Sequence, residues 1–359
     1  SVLTPIPPCP TFASLRWRKQ IGHGSFGKVY MVTSEDDTSY GDAPYKERVF
    51  ALKVMNKMDL YERKQIEQIR RERKIMSSFQ HPFVLSLVDT FQDSNSVYML
   101  LPYLAGGELQ SVLKKTRLPD NAIKYYASCT IDALLHLHRR NIIHRDVKPE
   151  NIVINGEGHS VLIDFGVAKI MKSHRTYTLC GTPSFFAPEL IFQQGYGKGV
   201  DYWAFGVLLY EMIVGESPFR VTTNLMESFG RICKLDYPIP ENKKSHLGMR
   251  LVKGLLVLET KRLGCLADGG MDIAKHFYFN DIEWKDLRKK RIDPPYKPVI
   301  DDSIPPVDMK LRDTSVPTKG YKSVSKQVDG AFQDFGDYFE DHALHSPSCV
   351  CASKFWKLF

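Results

Sequence analysis

The 359-residue chain has no run of 18 or more apolar side chains, the length a helix needs to cross a bilayer. Its first 20 residues also lack a charged segment followed by an apolar stretch and a small-residue cleavage site, the pattern of a secretory signal. These absences lead to the expectation of a soluble, non-secreted protein with no membrane span, placed in the cytoplasm with the nucleus also open to it. Cysteine is scarce. The seven, at 9, 129, 180, 233, 265, 349 and 351, are odd in number and lack the paired spacing of a zinc site. They read as reduced intracellular thiols, and nothing else supports a lipidation or redox role for Cys349 and Cys351. Signatures of nucleic-acid binding, such as paired zinc ligands or a basic region with heptads, are missing too. The formal net charge of +8 suits phosphate. Because the basic residues are spread along the chain, a phosphate-bearing small ligand or merely solvated faces explain the charge as well, and no nucleic-acid partner is expected.

What is present is enough for a sizeable core: 43% of the residues are hydrophobic, and the length suits two domains or lobes. Residues 17–32 and 49–55 read as strands around a Gly-rich turn at 22–27, with the polar stretch 33–48 as a long hairpin loop. Ile66, Ile69, Ile75 and Met76 recur at helical spacing, which predicts a helix over 59–79. Two more strands are expected at 83–91 and 96–103, then helices at 108–115, 119–139 and 200–215. The last is nearly all apolar, as a buried helix would be. "NIVINGEGHSVLIDFG" (151–166) reads as a hairpin turning at Asn155 and Gly156. Strands first and helices later favour two unlike lobes with a cleft, and the Pro-, Asp- and Lys-rich residues after about 280 an extended tail.

Chemistry concentrates in a few motifs. "IGHGSFGKV" (21–29) carries three glycines that let backbone N–H groups approach a phosphate without Cβ clashes. Alone it would equally suit a dinucleotide site or a plain turn, but strand rather than helix follows it. Lys53 lies among apolar residues in "VFALKVM", and Glu72 falls on the apolar side of the predicted helix, where a lone carboxylate is costly. An ion pair between the two resolves both oddities and holds the lysine toward a phosphate. "HRDVKPEN" (144–151), "DFG" (164–166) and "APE" (187–189) follow in order.

With these five ordered motifs the chain resembles a eukaryotic-type protein kinase over residues 17–279. The resemblance implies an α+β bilobal fold: an N-terminal extension (1–16), a β-rich small lobe with one key helix (17–103), a mainly helical larger lobe (104–279) and a tail (280–359). It implies an enzyme that uses ATP and Mg2+. In that reading Asp146 orients the substrate hydroxyl and accepts its proton, and Lys148 neutralises the moving phosphoryl group. Lys53 and Glu72 complete the catalytic set, Asn151 and Asp164 offer oxygens to Mg2+, and His144 anchors the loop. Ile21, Val29, Ala51 and Val153 would sandwich adenine, with Leu101 behind it and Pro102 and Leu104 presenting backbone groups. Gly22, His23, Gly24, Ser25, Phe26 and Gly27 would cover the phosphates, and Glu108 would meet the ribose.

"RTYTLCGTPSFFAPEL" (175–190) is similar to the activation segment of the AGC kinases, above all those dependent on cyclic AMP or cyclic GMP. The likeness makes Thr178 a phosphorylation site, whose phosphate would pair with Arg145 and Lys169. An upstream kinase or autophosphorylation would supply it. Glu108, Glu150 and Glu211 match residues that receive substrate arginines, while Leu179, Thr182, Pro183 and Phe186 line the site of the following residues. An Arg-Arg-x-Ser/Thr-Φ substrate is therefore expected. Glu189 would pair with Arg262, and Asp201 would brace the catalytic loop. In the tail, "FGDY" (335–338) resembles a motif that lies across the nucleotide cleft, "WKLF" would place Trp356 and Phe359 in a pocket beside the Glu72 helix, and Ser346 matches a phosphorylated turn serine.

Two readings compete. A pseudokinase scaffold would have lost Lys53, Asp146, Asn151 or Asp164, and all four are present. A dehydrogenase leaves the later motifs unexplained. Only about 20 residues precede the Gly-rich turn and the chain begins with Ser, so a cyclic-nucleotide-binding regulatory subunit, or a domain of a longer chain, is expected to lie outside it. Motifs alone do not choose between cyclic AMP and cyclic GMP.

Overall fold

The computed structural model describes residues 9–24, 27–34, 48–219, 224–299, 303–308 and 326–338. They form two compact units. The first takes the described residues up to Ser77, those from Ser86 to Tyr103 and those after Asp301; the second takes Ser78–Leu85 and Leu104 onward to 299.

In the first unit β1 (Leu15–Gly24), β2 (Gly27–Ser34), β3 (Arg48–Asn56), β4 (Asp89–Gln92) and β5 (Ser96–Pro102) form a sheet ordered β1-β2-β3-β5-β4. Ser34 pairs with Arg48, so the 33–48 stretch does close an antiparallel hairpin; its residues 35–47 lie outside the described set. The period of two in "RVFALKVMN" decides what each face does. Phe50, Leu52 and Val54 enter one core with Tyr30, Val32, Tyr98 and Leu100. Met55, of the same parity as Lys53, enters a second core with Leu60, Ile69, Val97 and Met99. Lys53 therefore projects on the side where the helices pack.

The single helix expected over 59–79 is two, α1 (Lys57–Glu62) and α2 (Ile66–Met76). Asn56 starts α1 by accepting hydrogen bonds from the amides of Met58 and Asp59. Lys64 adopts a left-handed φ of 56°, which ends the first helical run and lets α2 begin on a new axis. The strand expected at 83–91 shrinks to Asp89–Gln92. The amide of Leu85 and the carbonyl of Phe83 are instead satisfied by Leu162, which draws that segment into the second unit.

The tail also departs from expectation. Residues 280–299 belong to the second unit and include a helix at Trp284–Arg288. Further on, a helix at Lys326–Gly330 leads to a strand, Asp337–Tyr338, added parallel to β4. Val328, Phe332 and Phe335 follow the i, i+4, i+7 spacing of one helical face and fill the second core beside α2. Phe335, expected to lie across the nucleotide cleft, is thus buried in that core. Trp356, Phe359 and Ser346 lie outside the described residues.

The second unit is built on α3 (Leu109–Lys115), α4 (Asp120–Arg139) and the strand pairs β6 (Ile142–Ile143) with β9 (Lys169–Ile170) and β7 (Ile152–Ile154) with β8 (Ser160–Leu162). Helices α5 (Pro188–Ile191), α6 (Gly199–Val214), α7 (Leu225–Lys234) and α8 (Leu247–Leu255) follow. The apolar α6 is buried along almost its whole length, and Gly215, at φ 89°, ends it in the left-handed conformation that glycine allows. Among the described residues no helix is long and apolar enough to cross a membrane.

Candidate active site

The first unit presents the Gly-rich turn and the lysine. Gly24 and Gly27 pair across the turn from β1 to β2, with Ser25 and Phe26 outside the described residues. A Cβ on Gly27 would run into the Val54 carbonyl, so glycine is required for β2 to pass β3 this closely. Ile21 and His23 are exposed, Gly22 and Val29 half-buried, and Ala51 buried opposite Leu101. Pro102 closes β5 opposite Phe50, where its missing N–H ends the strand. Lys53 Nζ lies 2.7 Å from Glu72 Oε1, the pairing expected from the sequence, and the side chains are 16% and 4% exposed. Among the described residues Glu72 Oε2 has no hydrogen-bond partner, so the carboxylate depends on the lysine.

The second unit carries the remaining groups. Asp201, wholly buried at the start of α6, accepts the amides of His144 at 2.9 Å and Arg145 at 2.7 Å while His138 Nε2 lies 2.7 Å away. Burial works against its charge, but His138, His144 and these amides hold its pKa below the ordinary aspartate value. Arg145 can therefore keep a left-handed φ of 70°, which turns the chain toward Asp146. Asp146 meets Lys148 at 2.8 Å, Thr182 Oγ1 at 2.7 Å and the Asn151 amide nitrogen at 2.8 Å. Burial raises its pKa, but Lys148 and Thr182 outweigh this and hold it ionised below the ordinary value. Lys148 Nζ also donates to Thr182 at 2.8 Å. Asp146, Lys148, Asn151 and Thr182 thus form one cluster. Thr182, taken from the sequence as a substrate contact, is a direct partner of the carboxylate.

Asn151 spends its nitrogen on Asp146, leaving its amide oxygen without a partner among these bonds. Its carbonyl accepts from the amide of Ile163 at 2.8 Å, bringing Asp164 alongside in sequence. Asp164 has a φ of 62° and accepts the Gly166 amide at 3.0 Å. His144 reaches the Ile163 carbonyl at 3.0 Å and sets its ring against Phe165. No cluster of three or more His, Cys, Asp or Glu able to hold a metal occurs among the described residues. One carboxylate and one amide oxygen suit a hard divalent cation that takes its other ligands from phosphates and water.

Glu211 sits in α6 with its pKa pushed up to about 7 by burial and by Glu150, partly offset by the Ser217 hydroxyl. Glu108 precedes α3 and bridges to Val153 through the backbone; Glu108 and Glu150 are exposed, and Leu104 and Val153 are half-buried. Leu179 is exposed and Pro183 half-buried, whereas Phe186 stacks on Phe229 of α7. Thr178 is exposed. Lys169 donates to Thr176 at 2.7 Å rather than to Thr178, and Arg145 to the Val167 carbonyl at 2.6 Å and the Tyr196 hydroxyl at 3.1 Å. Sequence reasoning missed Tyr196, Ser217 and His138; their only signal is a polar side chain inside an apolar or glycine-flanked stretch.

This combination of fold units and residues defines a protein kinase, and residues 15–279 match the protein kinase domain family. The chain belongs to that family. It is 38% identical over 301 residues to the cAMP-dependent protein kinase catalytic subunit of Dictyostelium discoideum, covering 82% of this chain and 44% of that protein. It is 39% identical over 284 residues to cAMP-dependent protein kinase type 3 of Saccharomyces cerevisiae, covering 79% and 68%. The serine/threonine-protein kinase gad8 of Schizosaccharomyces pombe is also 39% identical, over 290 residues, covering 80% and 49%. The chain therefore spans between about half and two thirds of the length of these relatives.

Proposed function

We propose that the protein transfers the γ-phosphoryl group of ATP to serine or threonine in proteins with arginines N-terminal to the acceptor. The observation that carries this reading is the Asp146 cluster: an ionised carboxylate fixed by Lys148, Thr182 and Asn151 within 2.8 Å. A substrate hydroxyl oriented by Asp146 would attack the γ-phosphorus, its proton passing to the carboxylate as the bond to the ADP oxygen breaks. Lys148 would balance the charge on the transferring group, and Lys53, held by Glu72, would hold the nucleotide phosphates. Asn151 and Asp164 would bind Mg2+, which supplies neutralisation of phosphate charge when bound. On the likeness to the family, residues 21–29, Ala51, Leu101, Pro102, Leu104, Glu108 and Val153 are the ones proposed to contact the nucleotide.

The carboxylates of Glu150 and Glu211 support the arginine preference, because a guanidinium would relieve both the burial and the repulsion that raise the Glu211 pKa. Phosphorylation of Thr178, and a cyclic-nucleotide-binding regulatory partner, belong to the same proposal and rest on the likeness to the relatives. The test is transfer from Mg-ATP to a peptide bearing Arg-Arg-Ala-Ser-Leu, against one with alanines for arginines, using wild type and Asp146→Asn. Transfer to the first peptide alone, abolished in the variant, is the expected result. No transfer by protein phosphorylated at Thr178 and able to bind nucleotide would overturn the enzyme reading in favour of a scaffold.

A further inference from the structure

We infer that the hydroxyl of Tyr196 is a positioning group that ties the catalytic loop to the activation segment before any phosphate is added. This rests on the proposed kinase reading. Arg145, next to the proposed proton acceptor Asp146, donates through Nη1 to the Tyr196 hydroxyl at 3.1 Å. That hydroxyl in turn donates to the carbonyl of Thr178, and the Cys180 thiol stands 3.9 Å from it. One oxygen atom thus connects the residue preceding Asp146 with the residue proposed to be phosphorylated. A guanidinium donating to the phenol polarises it, which strengthens the bond it passes to the carbonyl.

The ring cannot swing away. It is 2% exposed, and the backbone of Tyr196 exchanges hydrogen bonds with Thr176 in both directions, at 2.9 and 2.8 Å. The glycine before it has a left-handed φ of 73° and lies against the Tyr177 ring, so the turn itself locks the segment. Thr176 is further held by Lys169, and Arg175 by Glu259 at 2.6 Å and the Gly195 carbonyl at 3.0 Å. The two cations proposed to receive a phosphate on Thr178 are therefore already engaged on Tyr196 and Thr176. The segment is ordered by neutral hydroxyls where a phosphate would later compete for the same cations.

Thr178 phosphorylation and the Tyr196 hydroxyl are consequently two ways of fixing one segment, and removing one should matter most when the other is absent. The test compares the wild-type tyrosine with Tyr196→Phe in the whole 359-residue chain, each in a Thr178→Ala background and each phosphorylated at Thr178. In the Thr178→Ala background the loss of the hydroxyl should raise the KM for the arginine peptide about tenfold with the KM for ATP unchanged. It should also speed amide exchange in residues 176–182 by a similar factor. In the phosphorylated pair both effects should fall below about twofold. Equal effects in the two backgrounds would reduce Tyr196 to a structural residue and overturn the inference, as would unchanged exchange in Thr178→Ala. The exchange readout needs no turnover, so a failure of the kinase reading, seen as absent transfer by phosphorylated wild type, remains a separate result.

Discussion

Glu189 and Arg262, 73 residues apart, form a bidentate ion pair with Nη1 to Oε1 at 2.6 Å and Nη2 to Oε2 at 3.0 Å. Both side chains are buried, and the guanidinium also bonds the carbonyls of Gly199 and Val257 and stacks over Trp203. Every donor direction is used, the condition under which a buried pair offsets its desolvation. Arg262→Ala would strand a buried carboxylate and two carbonyls. It should lower unfolding stability by about 3–5 kcal/mol, measured by urea denaturation monitored at tryptophan.

Lys53 and Glu72 differ from that pair because the second Glu72 oxygen has no hydrogen-bond partner among the described residues and the lysine has work elsewhere in the proposed reaction. Lys53→Met should reduce peptide phosphorylation by at least a hundredfold and, because it strands the 4%-exposed Glu72 carboxylate, should also lower the urea midpoint, while the circular dichroism spectrum without urea stays that of the folded protein. Loss of activity accompanied by an equal loss of folded protein would make the pair structural.

How much of this was legible beforehand depended on whether a signal was local. The Lys53 to Glu72 pair could be reasoned from two charged residues stranded in apolar patterns, and the buried α6 from the apolar run at 200–215. The break at Lys64 could not, because Ile66 to Met76 continues a helical period and only the backbone shows that the period restarts. The same limit applies to residues 83–85, whose β-like composition is satisfied by Leu162, almost 80 positions away. Thr182 was visible as part of a motif, but its bonds to Asp146 and Lys148 required the chain to fold back across 36 residues. In the tail the helix at Lys326–Gly330 and the packing of Phe332 and Phe335 were not anticipated, because the Pro-, Asp- and Lys-rich composition favours an extended chain. Beside them Asp329 reaches Lys57, a partner 272 residues earlier that no local signal reveals.

Glu211 gives a pH dependence. Its pKa is raised from 4.5 to about 7, so ionisation is disfavoured in the folded protein. The sign for stability follows: the group's contribution is present below about pH 4.5 and is lost as pH rises through about 7. For substrate the sign is opposite, since an arginine side chain needs the ionised form. The KM for the arginine peptide should fall several-fold between pH 6 and pH 8, and Glu211→Gln should flatten that profile. An identical profile in the variant would assign the dependence to another group.

The tail contact supplies an asymmetry between two substitutions of one ion pair. Lys57 is fully buried, with Asp329 and the side-chain Oε1 of Gln92 among its partners and the Phe332 ring 5.6 Å away, whereas the Asp329 side chain is 40% exposed. Asp329→Ala takes the carboxylate from a buried ammonium and should cost about 3 kcal/mol. Lys57→Met leaves a carboxylate that water can reach and puts an apolar chain among Phe332 and its neighbours, so it should cost about 1 kcal/mol or less. Phe335→Ala, which empties part of the same core, should cost about 3–5 kcal/mol. Urea midpoints ranking Phe335→Ala and Asp329→Ala well below Lys57→Met would establish that the tail is held by packing and by the need to neutralise one buried lysine. A reversed order for the two ion-pair variants would mean that the lysine reaches water once the tail loosens.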